Sequence, residues 1–172
     1  PPNLIAPPGA PIGQPPLCPS DNAETGARAM TLAEVEQVRD DFIAAARRAE
    51  KAGFHGVELH GAHGYLICQF FSPEINQRQD RYGGSLENRS RLLFEIIDGV
   101  RATCGPNFSL GVRLSPERFG LKLEEIAQLA QRLMREDNIE YIDMSLWDVF
   151  KEPEEPALKG RSLASYFTSL DR

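Results

Sequence analysis

The sequence predicts an α/β protein built around a parallel sheet, and three observations carry that reading. Three amphipathic helical stretches alternate with three short runs of strand-forming residues. Each short run ends in polar side chains capable of chemistry. The alternation starts abruptly at Thr31, after an opening of different composition. Strands separated by helices need right-handed crossovers, which place the strands parallel with the helices packed on the sheet.

Residues 1–30 read as a proline-rich irregular segment. Eight prolines fall between Pro1 and Pro19, with glycines at 9, 13 and 26. Proline removes backbone donors and glycine raises the entropic cost of ordering, so this stretch is expected to be a loop rather than a core element. Thr31-Leu-Ala-Glu34 has the spacing of a capping box, in which the Thr hydroxyl and the Glu carboxylate each accept a backbone N–H of the other. Val35, Val38, Phe42, Ala45 and Ala49 then recur at helical spacing, and Gly53 stands where a left-handed residue would close the helix.

Gly56-Val-Glu-Leu-His60 is the first predicted strand. A turn-rich stretch leads to a second helix, Asn88 to Cys104, with Leu92, Leu93, Ile96, Ile97 and Val100 inward and Gly105-Pro106 as its stop. Ser109–Leu114 is the second strand. A third helix over 122–137 aligns Leu123, Ile126, Leu129 and Leu133, and Tyr141–Ser145 is the third strand. Residues 31–147 thus form one α/β unit. Residues 148–172 read as an irregular polar tail, with Phe167 and Leu170 its late apolar marks.

An open three-stranded parallel sheet would leave two raw edges. Either the chain is a small βαβ domain with covered edges or it is a slice of something larger.

Composition narrows the function classes. The chain has 172 residues, 41% hydrophobic and 26% charged, with a net charge of -6. That acidity argues against a nucleic-acid partner, which requires clustered Lys and Arg. No run approaches the ~20 apolar residues of a membrane span. No charged segment with an apolar run opens the chain, so no signal peptide is expected. Cys18, Cys68 and Cys104 lack metal or disulfide spacing and are expected as small thiols in a reducing cytosol.

The strand ends carry the candidate chemistry, because sites in open α/β sheets and (β/α)8 barrels form at the carboxyl ends of strands. His60, His63 and Tyr65 put two imidazoles and a phenol within six residues. These groups can polarise a carbonyl by two hydrogen bonds while the phenol delivers a proton. The alternatives are two satisfied histidines beside an aromatic plug, or a metal site, for which no third ligand stands at a known spacing. Arg113, inside an otherwise apolar strand, suggests either an anionic ligand or an ion pair with an inward carboxylate such as Glu58. The segment Arg78–Arg89 reads as a loop pinned by ion pairs, with Ser85 or Asn88 capping the helix that follows.

Taken in order, Gly56-Val-Glu-Leu-His-Gly-Ala-His-Gly-Tyr-Leu66, Gln69-Phe-Phe-Ser-Pro73, Asn76, Arg78, Asp80, Tyr82-Gly-Gly-Ser85, Glu87-Asn-Arg89 and Val112-Arg-Leu-Ser-Pro116 resemble the Old Yellow Enzyme family of flavin oxidoreductases. The resemblance runs from about Thr31 to Ser145. It implies part of a (β/α)8 TIM barrel, about strands four to six with their helices, and FMN as cofactor with NAD(P)H as reductant. It further implies that His60 and His63 bind the substrate's carbonyl oxygen, that Tyr65 is the proton donor, and that Arg113 lies against the flavin.

The implied reaction is reduction of the activated C=C bond of an α,β-unsaturated carbonyl compound, a small-molecule enone or enal. Alternatives are a non-catalytic truncated barrel segment, or a fragment of a dienoyl-CoA-reductase-like flavoenzyme, whose iron–sulfur cluster needs a Cys cluster not seen here. Family members are about twice this length as single barrels. An internal segment is therefore expected, without the first three strands and without the last two, which bind the FMN phosphate in this family. Alone, such a slice is expected to be unstable or to aggregate, unless two copies pair as a homo-oligomer.

Overall fold

The computed structural model describes residues 15–136 and 138–170. Two short strands, β1 (Leu17–Cys18) and β2 (Arg28–Ala29), pair in parallel ahead of helix α1 (Leu32–Lys51). Strand β3 (Gly56–Gly61), the short helix α2 (Leu66–Phe71), helix α3 (Leu86–Thr103), strand β4 (Ser109–Leu114), helix α4 (Leu123–Glu136) and strand β5 (Tyr141–Met144) follow. A 3-10 turn at Pro156–Leu158 and helix α5 (Leu163–Thr168) come last. The main sheet has the order β3-β4-β5, and both strand pairs are parallel.

Local sequence explains the long helices. Thr31 Oγ1 accepts the Glu34 N–H at 3.2 Å, and Glu34 Oε2 accepts the Thr31 N–H at 2.8 Å. This reciprocal cap satisfies two donors that the helix cannot. The Arg28 guanidinium grips the same carboxylate and, with the Thr31 N–H, holds the Glu34 carboxyl down to about 2. Gly53, at φ 89°, ends α1 in the left-handed conformation glycine adopts cheaply. On α1 the buried positions are Val35 and Ala46, with Val38, Phe42, Ile43 and Ala49 packed against the core. Ala45, expected inward, is exposed, and Ala46 takes its place. At about 100° per residue, Ala46 falls about 20° from the fully buried Val35, whereas Ala45 falls on the outer side of the half-buried Val38.

Helix α3 begins at Leu86 under a Ser85 cap, whose hydroxyl accepts the Asn88 N–H. Its Leu92, Leu93, Ile96, Ile97 and Val100 are buried, as are Leu123, Ile126, Leu129 and Leu133 of α4. Each fully buried aliphatic side chain stabilises the fold by roughly 1.5–3 kcal/mol relative to exposure. The helices meet the sheet through Leu59, Leu110, Val112 and Leu114.

Three sequence expectations change. Helix α2 was expected as turn; its Leu-Ile-Cys-Gln-Phe-Phe run has no amphipathic period because all of Ile67 to Phe71 is buried. The tail forms α5, whose Leu163 is buried and whose Phe167 packs on the core. The opening segment, where described, is not loose: Cys18, Ala27 and Met30 are buried. The cause is Arg78, which donates to the Pro19 and Met30 carbonyls at 2.9 and 2.6 Å and pairs with Asp80. Residues 1–14 of that segment lie outside the described residues.

The Arg78–Arg89 loop is thus a structural knot. A Cβ on Gly83 would fall under 3.0 Å from the Arg78 backbone carbonyl, which cannot yield as a side chain could. Gly83→Ala is expected to cost about 1–3 kcal/mol, several degrees in Tm. A thermal scan showing no shift would refute this crowding.

Among the described residues, no helix is long and apolar enough to cross a membrane. No three His, Cys, Asp or Glu side chains are grouped to hold a metal ion among them.

Candidate functional site at the carboxyl ends of the strands

The period of two along a strand sorts side chains onto two faces of the sheet. Leu59, Leu110, Val112 and Leu114 face the helices. The opposite face carries two cross-strand rows, Glu58–Gly111–Tyr141 and His60–Arg113–Asp143, each aligned by Cα register. In the first row a Cβ on Gly111 would collide with the Tyr141 ring, so glycine is the residue that lets this phenol lie across β4. The Tyr141 hydroxyl is pushed up, by burial first and then by the Glu58 carboxylate.

In the second row the Arg113 Nε stands 3.1 Å from Asp143 Oδ2. This contact meets the distance of an ion pair but lacks the geometry of a hydrogen bond, and Nε is buried without an acceptor. The side chain as a whole is 37% exposed and its partner 40%, so the pair is weakly held in solvent. The carboxylate beside Arg113 is therefore Asp143 and not Glu58. Register decides this, because Asp143 sits directly opposite Arg113, whereas Glu58 lies in the row below.

Beyond β3 the chain turns sharply. His63 and Gly64 have φ 59° and 72°, and the Tyr65 N–H reaches the Ala62 carbonyl at 3.1 Å. Two successive left-handed residues are the signature of a type I′ turn. Histidine is among the few residue types enriched in that region. Gln69 of α2 donates to the Gly64 carbonyl at 2.7 Å, and Phe119 packs so close to Gly64 that a Cβ there would fall 2.9 Å from its ring. The turn brings three rings together: His60 and His63 have centroids 5.0 Å apart, His60 and Tyr65 5.1 Å.

Two serines from the neighbouring strand ends hold His63. Ser115 Oγ accepts its backbone N–H at 2.9 Å, and Ser145 Oγ lies 2.6 Å from its Nε2. The sequence marks both serines only as polar strand ends, because their partner is 52 and 82 residues away. Gln69 and Phe119 were likewise not singled out for the site.

Left-handed non-glycine residues recur at this rim: Arg118 and Phe119 after β4, Trp147 after β5. Such conformations cost about 1–3 kcal/mol and persist where surrounding contacts over-determine them. The buried Glu117 supplies those contacts here, accepting from Lys151 Nζ at 2.9 Å and from the Glu154 N–H at 2.8 Å, and so ties the two loops together. Arg118 adds an ion pair to Glu154 and stacks over the Trp147 ring. Beneath the turn, burial pushes the Cys68 thiol up to about 11, which leaves it unreactive at neutral pH.

The His60 imidazole is pushed below its usual value of 6.5, by burial first, then by His63 and by the Arg113 charge. A depressed histidine binds fewer protons folded than unfolded, so stability rises with pH through that window and falls on acidification below 6.5. We expect the His60 resonance to titrate below that value in an NMR pH series. A midpoint at or above it would refute the burial argument.

The model of the NADH:flavin oxidoreductase / NADH oxidase family matches residues 8–161. A probable NADH-dependent flavin oxidoreductase of Bacillus subtilis is 45% identical over 136 residues, covering 75% of this chain and 36% of its own length. An NADPH dehydrogenase of Geobacillus is 43% identical over 146 residues, covering 83% and 39%. Morphinone reductase, solved in complex with tetrahydroNAD, superposes with a TM-score of 0.67 at 34% identity, over 78% of this chain and 43% of that one. An Old Yellow Enzyme from Pichia superposes at 0.63 with 36% identity, over 77% and 41%.

A parallel βαβ unit that matches less than half of such TIM-barrel enzymes is a segment of a (β/α)8 barrel. The chain belongs to the NADH:flavin oxidoreductase / NADH oxidase family. It spans little more than a third of the length of the first two relatives.

Proposed function

We propose that the whole protein is an FMN-dependent oxidoreductase that reduces the activated C=C bond of α,β-unsaturated carbonyl compounds with NAD(P)H, and that this segment carries its substrate-binding residues. The observation behind the reading is the ring cluster of His60, His63 and Tyr65, with Arg113 in register beside His60.

His60 and His63 bind the carbonyl oxygen and stabilise the charge that gathers on it, an oxyanion-type role. The lowered affinity of His60 for a proton keeps it a neutral hydrogen-bonding ring. Tyr65, 54% exposed at the mouth of the turn, protonates the substrate's α-carbon. The buried, acceptor-less Nε of Arg113 fits a flavin, whose ring collects negative charge on reduction. When bound, FMN supplies the hydride.

The test is enone-dependent oxidation of NAD(P)H by the whole protein loaded with FMN. Turnover that rises with the enone and falls sharply in His60→Ala and His63→Ala is expected. Oxidation indifferent to the enone would sink the reading.

A further inference from the structure

Ser145 closes β5 and stands 2.6 Å from the Nε2 of His63, across two strands. His63 itself is over-determined: its backbone is left-handed, its N–H is taken by Ser115, and the Gly64 beside it is pressed by Phe119. With the backbone fixed this way and His60 packed beside it, the ring makes one hydrogen bond among the described residues, with the Ser145 hydroxyl. A hydrogen bond to one ring nitrogen decides what the other nitrogen can do, because neutral imidazole carries one proton. If Nε2–H donates to Ser145, Nδ1 is left as an acceptor and cannot bind an oxyanion. If Ser145 O–H donates to Nε2, Nδ1 carries the proton and can donate it.

We propose that Ser145 is a positioning residue whose hydroxyl donates to His63 Nε2 and so holds His63 as the Nδ1–H tautomer, presenting that N–H to a substrate oxygen. The direction of the hydrogen bond rests on the oxyanion-binding role proposed above; the bond itself rests on the geometry. The logic is that of a metal- or substrate-facing histidine whose outer partner fixes its tautomer. Ser145 touches neither substrate nor cofactor in this scheme, and it acts only through the ring.

The whole protein, labelled with 15N-histidine, is examined by long-range 1H–15N correlation at a pH where the rings are neutral. His63→Gln assigns the His63 signals by their loss. The expected result is a protonated Nδ1 and an unprotonated Nε2 for His63. In Ser145→Ala the preference should collapse to a mixture or reverse, and in Ser145→Thr, which keeps the hydroxyl, it should be retained.

A His63 protonated at Nε2 in the wild type overturns the proposal. So does a tautomer unchanged in Ser145→Ala, which is what a merely space-filling serine would give. Should Ser145→Ala unfold, seen as histidine signals collapsed onto one set of shifts, Ser145→Thr decides: loss of the Nδ1–H form in a folded Thr variant also overturns it. These spectra need no flavin and no enone. Nδ1–H on His63 in a protein that fails to reduce enones would therefore refute the proposed reaction and leave the tautomer assignment standing.

Discussion

Arg89→Ala is expected to destabilise the protein by about 3–5 kcal/mol, the range found when one partner of a buried ionic network is removed. The Arg89 side chain is 4% exposed and uses every arm of its guanidinium. Nε donates to the Gly84 carbonyl at 2.9 Å, one terminal nitrogen donates to the Phe71 carbonyl, and the other pairs with Glu125 at 2.9 Å. One side chain therefore joins the Gly83–Gly84 turn, the end of α2 and the start of α4.

Truncation would leave two carbonyls without their donor and Glu125 without its cation, besides a void the size of the side chain. Total stabilities of single domains are about 5–15 kcal/mol, so the loss would be a large share. Arg89→Lys should recover only part of it, since an ammonium cannot reproduce the fork. Denaturant unfolding gives the answer, and an Arg89→Ala midpoint equal to the wild type would mean that the network contributes nothing.

Tyr65→Phe is expected to slow enone reduction by about 10²–10⁴-fold, the usual worth of a positioned general acid. Flavin reduction by NAD(P)H should be unchanged. Tyr65 is more than half exposed and caps the short α2 without a side-chain hydrogen bond, so loss of its hydroxyl should not disturb the fold. Rapid-mixing measurements of the two half-reactions separate these outcomes. Equal slowing of both would assign Tyr65 a structural role and remove it from the proton pathway.

The long helices were legible because each has a one-sided apolar stripe, and α1 and α3 carry their own punctuation as well. The Thr31 capping box, Gly53 and the Ser85 cap stand in the structure where the sequence indicates. Strand β4 has the expected bounds, Ser109–Leu114. Helix α2 was illegible for the opposite reason: a segment buried on all sides has no stripe, and burial rather than local preference folds it. The ordering of residues 15–30 depends on Arg78, about fifty residues on, which no local pattern reveals.

The site divides in the same way. His60, His63 and Tyr65 stand out because they crowd one strand end, and the structure brings their rings together. Ser115 and Ser145 acquire meaning only through sheet register, which sets Arg113 beside Asp143 and brings the two serines to His63. Sequence gives the inventory of polar strand ends; pairing between strands decides which of them meet.

The alternation that sorts the two faces of the sheet also makes the site sensitive to phase. Inserting one residue early in β4 would shift every following side chain to the other side. Val112 would then stand in the row with His60 and Asp143, and the Arg113 guanidinium would be driven into the buried, helix-facing place of Leu114, in the row of Gly61 and Met144. A length change of one residue, chemically trivial in a loop, would thus erase the polar row and bury a charge in the core in one step. Substitutions at Arg113 or Asp143, by contrast, leave the helix-facing residues untouched, so the chemistry of this face can vary while the fold beneath it stays the same.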